Sequence, residues 1–161
     1  MLITLLIVVA LLFGFMVGGL RGAVWVPARI RDTEKLLASL DIAKDAHIYE
    51  FGCGDGRNLR LINRRYRNAS LAAIEINPVM WLIAFLRNHR YATIRLGDGW
   101  KQNLSDQDVV LTFLTTPFMA RFEQKMLAEL KPGSLVISYA FNLPTLPPLL
   151  HQNSYFVYRI P

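Results

Sequence analysis

The stretch that decides the fold is His47-Ile48-Tyr49-Glu50-Phe51-Gly52-Cys53-Gly54-Asp55-Gly56. It begins with β-branched and aromatic side chains, reaches an acid, and continues with three glycines at alternate positions. Glycines spaced this tightly let the backbone turn sharply and approach a ligand without interference from a Cβ atom. The stretch therefore predicts a β-strand followed by a loop that cradles an adenosyl group or a phosphate.

The spacing of the glycines distinguishes between these ligands. A dinucleotide-binding fold requires Gly-x-Gly-x-x-Gly, in which the third glycine packs a helix against the sheet. This chain instead has an acid followed by Gly-x-Gly-x-Gly, a form that resembles motif I of the class I S-adenosylmethionine methyltransferases. A turn that serves only the fold is the alternative interpretation. The resemblance implies S-adenosyl-L-methionine as the cofactor, held by the loop residues Glu50, Gly52, Cys53, Gly54 and Gly56.

Two further acids come at the carboxyl ends of the next two predicted strands. Ala69 to Ile76 is an apolar strand with Glu75 near its end, about twenty residues past the glycines, where a carboxylate can accept both ribose hydroxyls. After a third strand, Ala92 to Leu96, Asp98 lies beside a flat aromatic ring and can accept an adenine amino group. A helix cap for Glu75 and a turn role for Asp98 are the alternatives. Because ligands of open α/β sheets bind at the carboxyl ends of strands, we predict cofactor contacts at Glu75, Asp98, Gly99 and Trp100.

Helices and strands alternate along the rest of the chain. The strands are continuous apolar runs rather than alternating ones, which is typical of a sheet buried on both faces. We predict a Rossmann-like, three-layer α/β sandwich with a mostly parallel sheet. The interval Phe141 to Ser154 is short and proline-rich, so the presence of an antiparallel closing hairpin is left open. The predicted helices are Arg31 to Leu40, Asn58 to Tyr66, Val79 to His89 and Ala120 to Leu130, and the further strands are Asp108 to Leu114, Ser134 to Ala140 and Tyr155 to Ile160.

The amino terminus predicts a membrane anchor. Leu2 to Leu20 carries no charged side chain, and at about 1.5 Å per residue it would span roughly 28 Å, enough for one transmembrane helix. Basic residues follow it and none precedes it, so the positive-inside rule places the remainder in the cytoplasm. We therefore divide the chain into an anchor at 1–22 and one catalytic domain at 23–161. A cleaved secretory signal is the competing interpretation, but a basic n-region and a clear cleavage site are missing.

Composition excludes several kinds of site. The lone Cys53 excludes an internal disulfide, and three scattered histidines give no metal-ligand cluster.

The net charge of +6 is concentrated in Arg57, Arg60, Arg64 and Arg67, which recur at helical spacing. This stripe is explained equally by a helix face that contacts only solvent, by an anionic membrane leaflet or by a nucleic acid. The predicted tether and the lack of a recognition module argue against nucleic acid.

Five segments narrow the resemblance. They look like the small, membrane-associated protein-lysine methyltransferases that in mitochondria act on the ATP synthase c subunit and the adenine nucleotide translocase, and that also carry a hydrophobic segment before the catalytic domain. The resemblance implies that Glu50, Gly52, Gly54, Glu75 and Asp98 match the cofactor positions of that family. The chain departs from the family pattern at Ala28 and Phe118, so the identity of the acceptor protein is not carried over. The segments are Val24-Trp25-Val26-Pro27, Gly52 to Arg57, Glu75-Ile76-Asn77-Pro78, Asp98-Gly99-Trp100-Lys101 and Thr116-Pro117-Phe118-Met119.

The turn after the fourth predicted strand is the candidate catalytic segment. Methyltransferases of nucleobase or glutamine amides use an Asn/Asp-Pro-Pro-aromatic turn here, whereas this chain has Thr115-Thr116-Pro117-Phe118 and lacks the side-chain acceptor. A lysine acceptor needs only a group that orients its neutral amine, and we predict the carbonyls of Leu114 and Thr115, held by Pro117. A plain strand-to-helix connection is the alternative.

These observations lead to one main hypothesis and two others. The main one is a single-pass, S-adenosylmethionine-dependent methyltransferase that methylates lysine in a cytoplasm-facing loop of another membrane protein, since confinement to one bilayer raises the effective concentration of the two partners. The second is a methyltransferase of a lipid head group or a lipophilic small molecule. The third is a membrane module that binds the cofactor without turnover.

Overall fold

The computed structural model of the protein describes residues 29–161. Within that range the helices are α1 (Ile30–Ser39), α2 (Arg57–Arg65), α3 (Pro78–Asn88) and α4 (Thr116–Glu129). The strands are β1 (His47–Phe51), β2 (Ser70–Glu75), β3 (Ala92–Leu96), β4 (Val109–Thr112), β5 (Leu135–Tyr139), β6 (Leu150–Gln152) and β7 (Tyr155–Arg159).

The strands form one sheet in the order β3-β2-β1-β4-β5-β7-β6. β1 to β5 run parallel, while β7 lies antiparallel to both β5 and β6. The direction of strand addition reverses between β1 and β4. This is the switch point at which an open α/β sheet leaves a crevice beyond the carboxyl ends of its strands.

The core consists of one apolar cluster on each face of the sheet. Ile48 packs in the cluster that contains Leu36, Leu59 and Ala84 of α1, α2 and α3. The next residue, Tyr49, packs in the other cluster with the side chains of α4. Successive residues of β1 point to opposite faces, and both faces are covered. The predicted Rossmann-like three-layer sandwich with a mostly parallel sheet is confirmed.

The start of the last helix differs from the prediction, and the question of the closing hairpin is answered. α4 begins at Thr116 rather than Ala120, because Pro117 sits in its first turn, where a missing N–H is tolerated and the fixed φ favours the helix. The closing hairpin left open by the sequence is present: the three residues of β6 pair with β7, which in turn pairs with β5. The short β6, Leu-His-Gln, has too few apolar residues for its sequence to predict a strand.

The predicted anchor, Leu2 to Leu20, and the boundary at residue 22 lie outside the described residues, as does the segment Val24 to Pro27. In the described range, 29–161, no helix has the length and apolar character required to cross a membrane.

Candidate active site

An open cleft lies at the carboxyl edge of the sheet, where the loops after β1, β2 and β3 meet. Its volume is about 350 Å³, including its solvent-filled mouth. The cleft brings together six of the predicted site residues from the ends of four strands, β1 to β4, at the switch point of the sheet. Its lining residues are Phe51, Gly52, Ile74, Glu75, Ile76, Gly97, Asp98, Gly99, Trp100 and Leu114.

The loop after β1 is fixed to the end of β2 by its backbone. The N–H groups of Gly52 and Cys53 donate to the carbonyl of Ile74 at 3.1 and 3.0 Å. A Cβ atom on Gly52 would meet no atom within 4 Å, so this part of the loop presents bare backbone to open space. The start of the loop is thus a cradle that a ligand can approach closely.

The far end of the same loop is packed against α3. Gly56 has φ +73°, and a Cβ there would collide with the Asn88 side chain and with Ala84. Asp55 accepts from Arg57 of α2 at 3.0 Å and from Arg87 of α3 at 2.7 Å. Although burial opposes it, these hydrogen bonds lower the pKa of Asp55. Gly56, predicted as a cofactor residue, therefore joins the loop to α3 and does not line the cleft.

Cys53 belongs to the core. Its side chain is buried in the cluster that contains α1, α2 and α3. Burial, together with the charges of Glu50 and Glu75, raises the pKa of the thiol, which is the opposite of what a nucleophilic cysteine needs. Its contribution at the loop is its backbone N–H and its small size.

Glu75 is the last residue of β2 and holds the loop that follows β1, Gly52 to Gly56, which we call the glycine loop. Its Oε2 accepts the N–H of Gly54 at 2.8 Å and its Oε1 accepts the N–H of Asn77 at 2.8 Å. Burial raises its pKa, and these hydrogen bonds oppose the shift. The cap of α3 is Asn77, whose Oδ1 accepts the N–H of Val79 at 2.9 Å, so the helix-cap alternative for Glu75 is wrong. The carboxylate has about four lone-pair sites, and the backbone N–H groups of Gly54, Asn77 and Ile76 do not fill all of them, which leaves room for a ligand hydroxyl.

Asp98 lies on the cleft wall and also caps a short turn. Its Oδ1 accepts the N–H of Trp100 at 3.0 Å, at the start of the 3₁₀ turn Gly99–Lys101. The indole of Trp100 meets the edge of Phe51 with ring centroids 5.1 Å apart. The guanidinium of Arg121 lies over the indole, 4.2 Å from its centroid. The turn role of Asp98 and its place in the cleft are thus both present.

Glu50 is a buried carboxyl at the end of β1. Its Oε1 accepts from Asn58 Nδ2 at 2.7 Å, but within residues 29–161 its buried Oε2 has no hydrogen-bond partner. Burial raises the pKa of Glu50 to about 8, against the opposing hydrogen bond from Asn58. A buried carboxyl with an unsatisfied oxygen is costly to the fold. Glu50 does not line the cleft described above, and its unsatisfied oxygen is suited to a cationic group such as the ammonium end of the cofactor predicted from the sequence.

A row of aromatic residues on the other side of the glycine loop was missed by the sequence analysis. Thr112 of β4 is level with Ser138 of β5, and Tyr139 is level with Tyr155 of β7. Phe113, one residue beyond β4, meets Tyr139 edge to face at 5.0 Å and stacks on Phe141 at 6.1 Å. We call Phe113, Tyr139 and Phe141 the aromatic row. The signal that could have found it is the aromatic residue at or just beyond the end of two adjacent strands.

The turn between β4 and α4 divides the predicted catalytic residues. Leu114 lines the cleft. The carbonyl of Thr115 accepts the N–H of Phe118 at 2.9 Å and so belongs to the first turn of α4, while Pro117 is exposed in that turn. Of the three, Leu114 is the residue that the structure brings to the cleft.

A buried acid on α4, also missed by the sequence analysis, holds the loop beyond β5. Glu123 Oε1 accepts the N–H groups of Thr145 and Leu146 at 3.0 and 2.6 Å. This loop contains Phe141, the last member of the aromatic row. The signal was a single acid on an otherwise apolar helix face with Met119, Phe122 and Met126.

Comparisons with known proteins find methyltransferases. A family model described as the ANTKMT methyltransferase domain matches residues 50–150. A protein-lysine N-methyltransferase of Saccharolobus islandicus is 27% identical over 124 residues, which cover 74% of this chain and 77% of that protein. The adenine nucleotide translocase lysine N-methyltransferase of Mus musculus is 30% identical over 132 residues, which cover 78% of this chain and 56% of that protein.

The fold is also found among solved structures. An RNA methyltransferase from Salinibacter ruber, in complex with S-adenosyl-L-homocysteine, superposes with a TM-score of 0.72 at 24% identity over 84% of this chain and 92% of that one. At this identity the similarity concerns the fold.

Proposed function

Because the chain belongs to the ANTKMT methyltransferase domain family, we propose that it methylates the side-chain amine of lysine in another protein. It is a class I methyltransferase that depends on S-adenosyl-L-methionine. The lysine acceptor is supported by the two relatives that are named as lysine methyltransferases. The observation that carries the proposal is the division of the sheet edge, with acids on one side of the glycine loop and the aromatic row on the other.

We assign the nucleoside part of the cofactor to the side of β2 and β3. Glu75 would accept the ribose hydroxyls with the lone pairs that face the cleft, and Asp98 would accept the adenine amino group. Trp100 and Gly99 would flank the base. The orphan oxygen of Glu50 would face the ammonium of the amino acid end, with the backbone of Gly52 and Gly54 between the two ends.

The acceptor would then enter over β4 and β5. When bound, S-adenosyl-L-methionine supplies a sulfonium methyl group that is already activated for transfer. The chain's own residues have to orient a neutral amine and exclude water. The aromatic row would receive the charged lysine side chain on its π faces, the apolar Leu114 would favour the neutral amine over the ammonium by desolvation, and the Leu114 carbonyl would orient that amine. The proton leaves to water.

We further propose that the acceptor is a membrane protein and that residues 1–22 tether the enzyme to the same bilayer with the catalytic domain in the cytoplasm. The support is the uncharged run from Leu2 to Leu20 and the basic residues that follow it. Tethering would let a weak docking surface suffice for the acceptor.

The test uses membranes that lack this protein. They are incubated with the purified full chain and methyl-labelled S-adenosyl-L-methionine, and the label is partitioned between protein and extractable lipid. We expect label in a discrete protein band, recovered as methyllysine after hydrolysis and lost with Asp98→Ala. The exposed Asp106→Ala is the matched control and should leave the label unchanged. Label in the lipid fraction would support a lipid or small-molecule acceptor, and no label despite cofactor binding would support a non-catalytic module.

A further inference from the structure

The outer face of α3 is apolar although it faces away from the sheet. The helix is held by fully buried Ala84 and Asn88 and by Trp81, whose indole Nε1 donates to the carbonyl of Ile94 at 3.1 Å. On the outside, Leu82, Phe85 and Leu86 are 47%, 38% and 63% exposed. A helix on the surface of a soluble domain normally turns charged or polar residues to this side.

These apolar side chains form a continuous surface. Phe85 stacks on Trp81 with centroids 5.6 Å apart and on His89 at 5.2 Å. Leu82 and Leu86, one helical turn apart, lie beside this stack. At the end of the neighbouring edge strand, β3, Leu96 is also exposed. Isolated exposed leucines need no explanation, but a contiguous patch marks an interaction surface.

The same layer carries the positive charge of the protein. Residues 56–91 contain seven arginines and one acid, the buried Glu75, so they account for the whole net charge of +6. Arg60, Arg64 and Arg90 are exposed. Gly56, at the start of α2, lies against Ala84 and Asn88 of α3. Further along α2, the charges of Arg60 and Arg64 oppose the rise that burial gives the pKa of Tyr91, just beyond α3.

The helix on the opposite face of the sheet has a different surface. Leu127 is exposed on α4 to a similar degree, 42%. Its exposed helix neighbours are Gln124 and Ala128, and Lys125 pairs with Glu129. The combination of an apolar patch and a basic rim therefore belongs to the α2 and α3 layer.

We propose that this layer docks on the surface of an anionic lipid bilayer. Leu82, Phe85 and Leu86, which we call the α3 patch, would enter the boundary between head groups and acyl chains, and Arg60, Arg64 and Arg90 would contact lipid phosphates. A second copy of the chain on this face would bring like-charged arginines together. An apolar segment of this chain would leave the arginines without a counter-charge. An anionic bilayer satisfies both halves of the surface.

The docking would fix the orientation of the cleft. α3 begins directly after Glu75 and Asn77, at the carboxyl edge of the sheet. A domain that lies on α3 therefore holds the rim of its cleft at the level of the lipid head groups, where a segment of a membrane protein emerges. This orientation goes beyond the proposed acceptor chemistry, and its test does not depend on methylation.

The test reports the environment of α3 in the full chain. Leu86→Cys carries an environment-sensitive fluorophore, and Leu127→Cys is the matched control on α4, with Cys53 buried and protected from the label. Each protein is placed, one copy per disc, in nanodiscs of phosphatidylcholine with or without phosphatidylglycerol. In the anionic discs we expect nitroxide-bearing lipids to quench the label at position 86 about threefold more than the label at 127. About 0.5 M salt should weaken that difference.

Charge variants separate the two parts of the surface. Arg60→Gln with Arg64→Gln should reduce the quenching at position 86, and the exposed Lys131→Gln should not. Equal quenching at 86 and 127 would overturn the proposal. An equal change in the fluorescence of the label at position 86 in neutral discs would also overturn it and would indicate contact with a segment of the same chain. A change that requires two copies per disc would overturn it as well and would indicate a dimer.

Discussion

Oε2 of Glu75 accepts the backbone N–H of Gly54 at 2.8 Å. A residue at the end of β2 thereby holds the loop that follows β1, and the same carboxylate faces the cleft. The loop conformation and the proposed ribose contact thus depend on one side chain. This coupling explains how two segments about twenty residues apart can act as one site.

Glu75→Gln should weaken cofactor binding. The amide keeps one acceptor oxygen and replaces the other with an N–H₂ donor, so either the Gly54 N–H or the Asn77 N–H loses its acceptor, and that side of the group can no longer accept a ribose hydroxyl. Hydrogen bonds to a charged group are worth about 1.5–3 kcal/mol, so we expect a roughly 10- to 100-fold higher Kd for S-adenosyl-L-methionine by calorimetry. Asp106→Asn on the surface is the control. An unchanged Kd for Glu75→Gln would show that the ribose does not lie at this carboxylate.

Gly56→Ala should destabilise the protein more than Gly133→Ala does. Both glycines have positive φ, +73° and +90°, but only at Gly56 would the new Cβ collide with neighbouring side chains. We expect a loss of about 1 kcal/mol at Gly133 from backbone strain and about 2–4 kcal/mol at Gly56 from strain plus overpacking against α3. Chemical denaturation of the two variants provides the comparison. Equal losses would mean that α3 yields to the added methyl group.

Much of this architecture could be predicted from the sequence, because the signals are local. The continuous apolar strands predict a parallel sheet buried on both faces, and the glycine spacing after β1, with the acids that follow the next two strands, predicts its cleft. Aromatic residues at the ends of two neighbouring strands were a visible signal, but their contact was not predicted, because it depends on register: Phe113 and Tyr139 become neighbours only when Thr112 pairs with Ser138. The packing of Gly56 against α3 was likewise not predicted, since its partner Asn88 is distant in sequence and the two residues meet only through tertiary packing.

Phe113→Leu should affect the acceptor and not the cofactor. The ring lies on the side of the loop away from the acids, and a π face attracts a cationic amine by about 0.5–2 kcal/mol. We expect the KM for the protein acceptor to rise roughly 2- to 30-fold while the Kd for S-adenosyl-L-methionine stays within about twofold. Phe156→Leu is the control, because Phe156 stacks on His151 in the edge hairpin. A cofactor defect in Phe113→Leu would place the ring against the methyl donor instead.

Glu50→Gln should stabilise the cofactor-free protein while it weakens cofactor binding. The carboxyl is buried with one oxygen unpaired among the described residues, so ionising it in the fold is unfavourable, and a neutral amide avoids that cost. The same ionised group is what a cationic ligand requires. We expect a gain of about 1–3 kcal/mol in the free energy of unfolding at pH 7 and a roughly tenfold or larger rise in Kd. Loss of both stability and binding would show that Glu50 has only a structural role.

The stability difference between the native protein and Glu50→Gln should depend on pH in a defined direction. Burial raises the pKa of Glu50 from 4.5 to about 8, so between these values the folded state keeps a proton that the unfolded state has lost. The contribution of Glu50 to stability is therefore fullest below pH 4.5 and falls as pH rises toward 8, by at most about 1.4 kcal/mol per pH unit. The variant lacks this group, so its advantage should grow between pH 5.5 and pH 8, where denaturation of both proteins without cofactor can be compared. A constant or shrinking difference would show that Glu50 is already ionised in the fold.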